Sequence, residues 1–414
     1  MPKMNCAIDS FPLTDDPLVV SDYSGSQVHG LTGTCLSYFI PAYGFTAVDG
    51  LSVHIEIPPV RFWENGEPIN NQHYLNGIRY FLSKNPFHRK FLFRNVSQIS
   101  AHSNQIHFEF NKPNYLFLTH LTVPNLFPLR TMSYNRFSSG DYIYESQSQD
   151  VLSFKVNSFN QSGTKTLQVR HVETPESNLN LFLDGHLDFT ADTAFDFSLY
   201  SSLKKQNVLQ EMDTGLSVYL EFGQSLYSAD QLSFRNKIKS SITGETFESI
   251  LNGVCSLSLL ESDSLAESPV SMPSIELAYD SFYPNREVCE LIQSSLKEKD
   301  IPCKLVQQDY YQPGAYSGLR FSIKRTGPRN IYQTLCHHAV NPIVMADRDQ
   351  HRSLIQNLNK IEMIPSEQER TPILAKLQKR IASLCPDIPL FRLPSIALTK
   401  NLDQPNPLLK WLYV

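Results

Sequence analysis

The sequence predicts an α/β protein of at least two lobes. Three observations carry that reading. The chain has 414 residues, more than one ordinary hydrophobic core organises. Its first half is a series of segments with apolar residues at every second position. Beyond Asp230, segments of helical and of strand periodicity alternate, which is the order of an α/β unit.

In the first half, LSVHIEI puts Leu51, Val53, Ile55 and Ile57 on one face, with His54 and Glu56 on the other. QIHFEF groups Ile106, Phe108 and Phe110, and VLSFKV (Val151–Val156) and TLQVRHV (Thr166–Val172) repeat the two-residue period. Such segments suit sheets covered on one side. Between them, NNQHYLNGIRYFLSKNP predicts a helix packed through Tyr74, Leu75, Ile78 and Phe81, stopped at Asn85-Pro86. After Asp230 two short helices are expected, then an exposed Ser/Pro-rich connection over Glu261–Ser274. REVCELIQSSLKEK follows with Val288, Leu291, Ile292 and Leu296 at helical spacing. The strand-like IPCKLVQQD and SGLRFSIKR come next, then a helix over about Glu367–Leu384 and the Pro-bounded extended segment CPDIPLFRLPSIALT.

Charge and motif content narrow the function. Lys plus Arg is 36 against Asp plus Glu 41, a net charge of -5, and a phosphate-binding surface usually shows the opposite excess. Nucleic acid is therefore not an expected partner. The seven cysteines are scattered, odd in number and without a CxxC pair, so neither a disulfide framework nor a zinc knuckle is expected. His337-His338 is the most metal-like pair, but no third ligand follows at metal spacing. HExxH, GxSxG and the phosphate-binding GxxxxGK[ST] are absent, and Asp150, Asp184 and Asp188 do not specify an opposed acid–base pair. No enzyme activity, cofactor or metal is expected. The first thirty residues contain no continuous apolar segment, so the chain as read shows no secretory signal, and no later stretch is long and apolar enough to span a bilayer.

The order of the segments resembles one family. DSFPLTDDPLVVSDYSGSQVHGLTGTCLSYF, from Asp9, looks like the opening of the large oligopeptide/dipeptide/nickel-type solute-binding proteins (family 5), the substrate-binding components of ABC importers. RFWENGEPINNQHYLNGIRYFLS (Arg61–Ser83) resembles the family's turn-and-helix block through Asn65, Gly66, Pro68 and Ile69, with Asn71 and His73 in place of the usual alanine and aspartate, which alters the local cap. Val96–Leu129 resembles its antiparallel pair, and Phe137–Asn157 its return strand through Ser139, Gly140 and Tyr142. LNLFLDGHLDFT, the Leu232–Gly253 segment (Phe234, Arg235, Ile238, Ile242, Gly253) and the segment from Leu277 to Tyr310 complete the series. The blocks keep family order from about Asn5 to Ala397.

The resemblance implies a periplasmic-binding-protein-like two-lobed α/β fold, type II, of the large cluster with an extra inserted domain. Its expected divisions are a first lobe from 1–45 and 136–231, an inserted smaller domain over 46–135, a second lobe over 232–397, and a tail, 398–414, returning to the first lobe. The ligand lies in the interlobe cleft and is enclosed by hinge closure.

Many family members hold a peptide's amino terminus with acids in a stretch that here reads GLRFSIKRTGPRNIYQTL. Pro328 and Asn330 stand near the places of those acids, while Lys324, Arg325 and Arg329 make the segment basic. A ligand presenting a carboxylate, phosphate or other anion fits this pattern better than a free ammonium; the plain alternative is a solvated outer surface. Asp22, Tyr23, Ser24 and Gln27 lie in the opening helix region that faces the cleft in the resembled fold, with core or rim placement as the alternative. Tyr316 and Arg320 precede the basic stretch at the expected cleft mouth, and Asn330 completes the candidate set.

The expected function is capture of a peptide or peptide-like, anionic solute and its delivery to an inner-membrane ABC permease, by a monomer in the periplasm or on the outer face of the cytoplasmic membrane. A cytoplasmic ligand sensor or interaction protein using the same fold is the alternative, favoured by the missing signal segment. The family's opening starts within about ten residues of Met1, so no DNA-binding domain is expected ahead of it.

Overall fold

The structure is a computed structural model that describes residues 3–57, 61–121, 125–131, 138–160, 166–243, 245–251, 274–310, 314–325, 331–403 and 406–412. The described strands are β1 (Lys3–Ile8), β2 (Gly44–Thr46), β3 (Ser52–Glu56), β4 (Val96–His102), β5 (Gln105–Phe110), β6 (Tyr142–Gln147), β7 (Val151–Val156), β8 (Thr166–His171), β9 (Leu209–Phe222), β10 (Ile275–Asp280), β11 (Cys303–Gln308), β12 (Leu319–Arg325) and β13 (Asp387–Leu398). They form three sheets, ordered β1-β8-β7-β6, β2-β3-β5-β4 and β11-β10-β12-β9-β13.

The period-two segments become strands because alternation buries one face. In the β2–β5 sheet, Val53 lies opposite Phe108 and Ile55 opposite Ile106, and all four are buried. Helix Asn71–Lys84 packs on this sheet through Tyr74, Ile78 and Phe81, and Leu75 is buried as well. Its start repairs the altered cap. Asn70 Oδ1 accepts from the His73 amide at 3.1 Å, and His73 Nδ1 accepts from the Asn70 amide at 3.2 Å. A histidine thus takes the place of the usual acidic partner in a reciprocal capping box. Gly77 lets the next segment lie directly on the helix, since a Cβ there would sit 1.9 Å from the Phe127 carbonyl oxygen.

β9 and β13 pair antiparallel along their whole length, from Leu209 opposite Leu398 to Glu221 opposite Asp387. β12 joins only the Leu216–Phe222 half of β9. At the other end of the ribbon, Phe189 bridges both Thr399 and Cys6, linking it to the sheet that contains β1. The ribbon of β9 and β13, crossing from the third sheet, is thereby joined through Phe189 to the first sheet. The two strands are bulged: Thr214 and Gly215 have no partner between the Asp213–Pro394 and Leu216–Leu393 pairs, and Leu390 has none between Pro389 and Phe391. Bulges bend and twist a ribbon locally. β13 carries Pro389 and Pro394 without cost to a neighbouring ladder because it is an edge strand.

Three cores result. One surrounds the third sheet, with Val218, Leu220, Leu277, Ile292 and Phe391. One lies in the first sheet, with Ile8, Val28, Leu31, Phe154 and Leu408; Leu408, on the last helical turn Pro407–Leu412, ties the end of the chain to it. The largest surprise is the remaining core. Helices Ile331–His338, Arg348–Glu362 and Glu367–Ala382 follow β12 in the chain, yet Tyr332, Leu335, Leu358 and Ile361 share a core with Phe108, Phe117 and Leu121, more than two hundred residues earlier. A polar group pins that seam. Glu362 Oε1 pairs with Arg94 at 2.6 Å, its Oε2 accepts from Asn95 at 2.8 Å, and Tyr332 donates to Oε1.

Candidate functional site

The first group of predicted residues gathers where β1, helix Tyr23–Thr32 and β13 meet. Asp22 ends an extended approach to the helix, and its Oδ2 accepts from the Gly25 amide at 2.6 Å. This is an N-cap, which contributes about 1 kcal/mol to a helix. Tyr23 and Gln27, four residues apart, share a helix face and converge on one carboxylate. The Tyr23 hydroxyl donates to Asp192 Oδ2 at 2.5 Å, and Gln27 Nε2 donates to Asp192 Oδ1 at 2.9 Å. Ser395 of β13 adds a third donor to Oδ2 at 2.6 Å. Ser24 donates to Asp9 Oδ1 at 2.7 Å and accepts from Ser10 at 3.0 Å. Burial pushes the Asp9 carboxyl up; hydrogen bonds from Thr193 and Ser24 pull it down, and the Asp192 charge adds to the rise. Burial, then Asp192, pushes the Tyr23 phenol up as well.

Asp22, Ser24, Gln27 and Asp192 are buried, and the polar atoms of Tyr23 and Gln27 point into the protein at Asp192. The group ties the opening helix to β13 through Asp192. Asp192 and Asp9 are the members that sequence reasoning missed. Asp192 lies two residues past the block LNLFLDGHLDFT, in an ADT triplet that carries no motif of its own.

The second group lies on the third sheet. Arg320 of β12 stands opposite Glu221 of β9. Its guanidinium covers the Tyr316 ring at 5.8 Å, and the Tyr316 hydroxyl lies 3.5 Å from Glu221 Oε2. Arg320 Nη2 is 4.0 Å from Asp280 Oδ1, and burial pushes the Asp280 carboxyl up while Arg320 pulls it down. Asp280 ends β10 beside its register partner Gln308, which ends the parallel β11, and Asn285 Nδ2 donates to the Asp280 carbonyl at 3.3 Å. Asp280 Oδ1, Asn285 Oδ1 and Gln308 Oε1 are buried acceptors with no hydrogen bond. Asp280 and Gln308 sit at the C-terminal ends of parallel strands, where open α/β sheets receive ligands, and Asn285 opens the helix that follows β10. An acceptor set of this kind is satisfied by a proton on Asp280 or by a ligand that brings donors.

Lys324 and Arg325 lie at the end of β12, register partners of Ser217 and Leu216, and the readings that rest on their side chains fall outside the described structure. Pro328, Arg329 and Asn330 lie outside the described residues. His337 stacks on Phe87 at 5.7 Å, and His338 Nδ1 lies 3.9 Å from Asp387. Among the described residues, no group of three or more His, Cys, Asp and Glu is placed to hold a metal ion.

No family model and no curated protein matches the sequence. Solved structures do match it, over nearly its whole length. NikA from Staphylococcus aureus in complex with Ni(L-His)2 superposes with a TM-score of 0.77 at 12% identity, covering 97% of this chain and 95% of that one. DppA from Helicobacter pylori, an ABC transporter-associated periplasmic binding protein in complex with the peptide STSA, gives 0.77 at 14% identity, covering 96% and 94%. A periplasmic oligopeptide-binding protein from Borrelia burgdorferi gives 0.77 at 15% identity, covering 97% and 96%. The chain has the two-lobed α/β fold of periplasmic binding proteins, with strong structural similarity to substrate-binding proteins of ABC importers.

Proposed function

We propose that the chain is the solute-binding component of an ABC importer, working in the periplasm or on the outer face of the cytoplasmic membrane and passing a captured solute to a membrane permease. The observation that carries this is the bulged β9–β13 ribbon of the third sheet, tied at its far end through Phe189 to the first sheet, which supports a hinge for a closing cleft. The block order of the sequence and the likeness to binding proteins solved with peptides and a nickel–histidine chelate support it. The solute is peptide-like. Its donors meet the acceptors at the ends of β10 and β11, and an anionic group meets the basic run Lys324, Arg325 and Arg329. The protein acts as a monomer and not as an enzyme.

The test is a thermal-shift panel of peptides, peptidoglycan fragments, opines and metal chelates on the purified chain. A ligand that binds only the native state raises its stability. At least one member should raise the melting temperature in a dose-dependent way; a flat response across the panel counts against the proposal.

A further inference from the structure

A cavity of about 110 Å³ lies between the opening helix, the first sheet and the Phe127–Leu129 segment, apart from both groups above. It is bounded by the face of β6 and β7, by the C-terminal half of helix Tyr23–Thr32 and by the segment after Leu126, and no residue of β9 to β13 is among the described residues that line it. Four rings form much of its wall: Phe11, Phe127, Tyr144 and Phe154. Tyr144 and Phe154 meet edge-on at 5.9 Å. Phe127 lies against the bare helix end at Gly33, where a Cβ would come within 2.4 Å of its ring.

The cavity opens to solvent where Asp15 and Gln147 are exposed, and Thr32, Ser138 and Ser139 add polar groups to its wall; an engineered cavity of comparable size, about 150 Å³, takes up benzene. A void of this order with aryl walls matches one aromatic ring, because rings pack on rings edge-to-face or offset. The polar end is supplied by His29. Its Nε2 lies 2.9 Å from the Thr14 carbonyl oxygen, an acceptor, so Nε2 carries the hydrogen. Burial holds the imidazole neutral by pulling its pKa down, against the Thr14 bond and the charges of Asp22, Asp15 and Asp16. In that tautomer Nδ1 is an acceptor. Among the described lining residues Asp15 is the one with an acidic side chain, and it is exposed.

We propose that this cavity is a binding site for a small neutral aromatic donor of phenol size. The ring lies among Phe11, Phe127, Tyr144 and Phe154, and its hydroxyl donates to His29 Nδ1. The site is independent of the interlobe reading and stands if that reading fails.

The experiment titrates the full chain with phenol, benzene and cyclohexanol by ligand-observed NMR and calorimetry, alongside Val28→Phe and Leu152→Phe, which fill the cavity from the helix and from the sheet. Phenol should bind about tenfold or more tightly than benzene, which lacks the donor, and than cyclohexanol, which lacks the flat ring. Each filled variant should lose at least tenfold in phenol affinity while melting no lower than the parent. If one variant fails to fold, the other and the three-ligand series decide. Absence of phenol binding at millimolar concentration, equal affinity for all three ligands, or unchanged binding in a folded filled variant overturns the proposal.

Discussion

The Tyr23 hydroxyl donates to Asp192 across 169 positions of sequence, at 2.5 Å, on a carboxylate that also takes Ser395 of the crossing strand β13. One carboxylate thus joins the opening helix, the loop after Phe189 and the β9–β13 ribbon. Tyr23→Phe keeps the ring and removes the donor. It should lower the unfolding free energy by about 1–3 kcal/mol, the usual cost of breaking a buried hydrogen bond. Urea denaturation measures it; a change below about 0.5 kcal/mol would mean that the bond does not hold the junction.

The seam between the sheet of β2 to β5 and the late helices offers a stronger test. Glu362 has 1% side-chain exposure and Arg94 15%. Removing one partner of a buried pair leaves the other charge unmatched, at about 3–5 kcal/mol. Glu362→Ala should cost that much, and Glu362→Gln, whose oxygen still accepts from Tyr332 and Arg94, clearly less. Equal losses for the two would show that packing, not the polar group, pins the seam.

Acid should weaken the fold through its buried histidines. Burial, reinforced by His337, lowers His88 to about 4; burial, reinforced by Arg94 and His88, lowers His120 to about 3. The unfolded chain takes up protons near 6.5 while the folded one does not, so stability is lost as the pH falls from about 6.5 toward 4, on the order of 2–4 kcal/mol per histidine. The carboxyls of Asp9, Asp22, Asp280 and Glu362 are raised by burial and act in the opposite sense: they cost stability as the pH climbs through their folded values and return part of it on acidification. Urea midpoints between pH 7 and 4.5 should fall, and His88→Gln should flatten the slope. A midpoint independent of pH would contradict these burial-driven shifts.

The chemistry of the solute is tested at Arg325. Arginine holds a carboxylate through two parallel hydrogen bonds, and loss of one partner of a buried pair costs about 2–5 kcal/mol, roughly 30-fold to several-thousand-fold in affinity. Arg325→Ala should weaken a carboxylate ligand far more than its amidated analogue in calorimetry. The same loss for both would make Arg325 a solvated surface residue.

Much of the fold was legible because alternation leaves a direct trace. Ile106, Phe108 and Phe110 named β5 to the residue, and Val151–Val156 named β7. β9 was not legible: EMDTG interrupts its apolar pattern, because that half of the strand belongs to a bulged ribbon with β12 absent from its flank. Helix Arg348–Glu362 was missed for a related reason. Leu354, Leu358 and Ile361 form a narrow stripe in a polar segment, and what buries it is a distant part of the chain, Phe117 and its neighbours. Site residues follow the same division. Tyr23 and Gln27 were found by their place in a resembled block, but the partner that fixes them, Asp192, is set by tertiary approach. The acceptors at Asp280, Asn285 and Gln308 become a group only when β10 and β11 pair in register.

The central claim is a solute captured by lobes that close about the crossing strands. Small-angle scattering of the chain alone and saturated with a ligand from the thermal-shift panel tests it most directly. The account predicts a smaller radius of gyration in the bound state, reached in step with occupancy. An unchanged radius at saturation would contradict closure about β9 and β13.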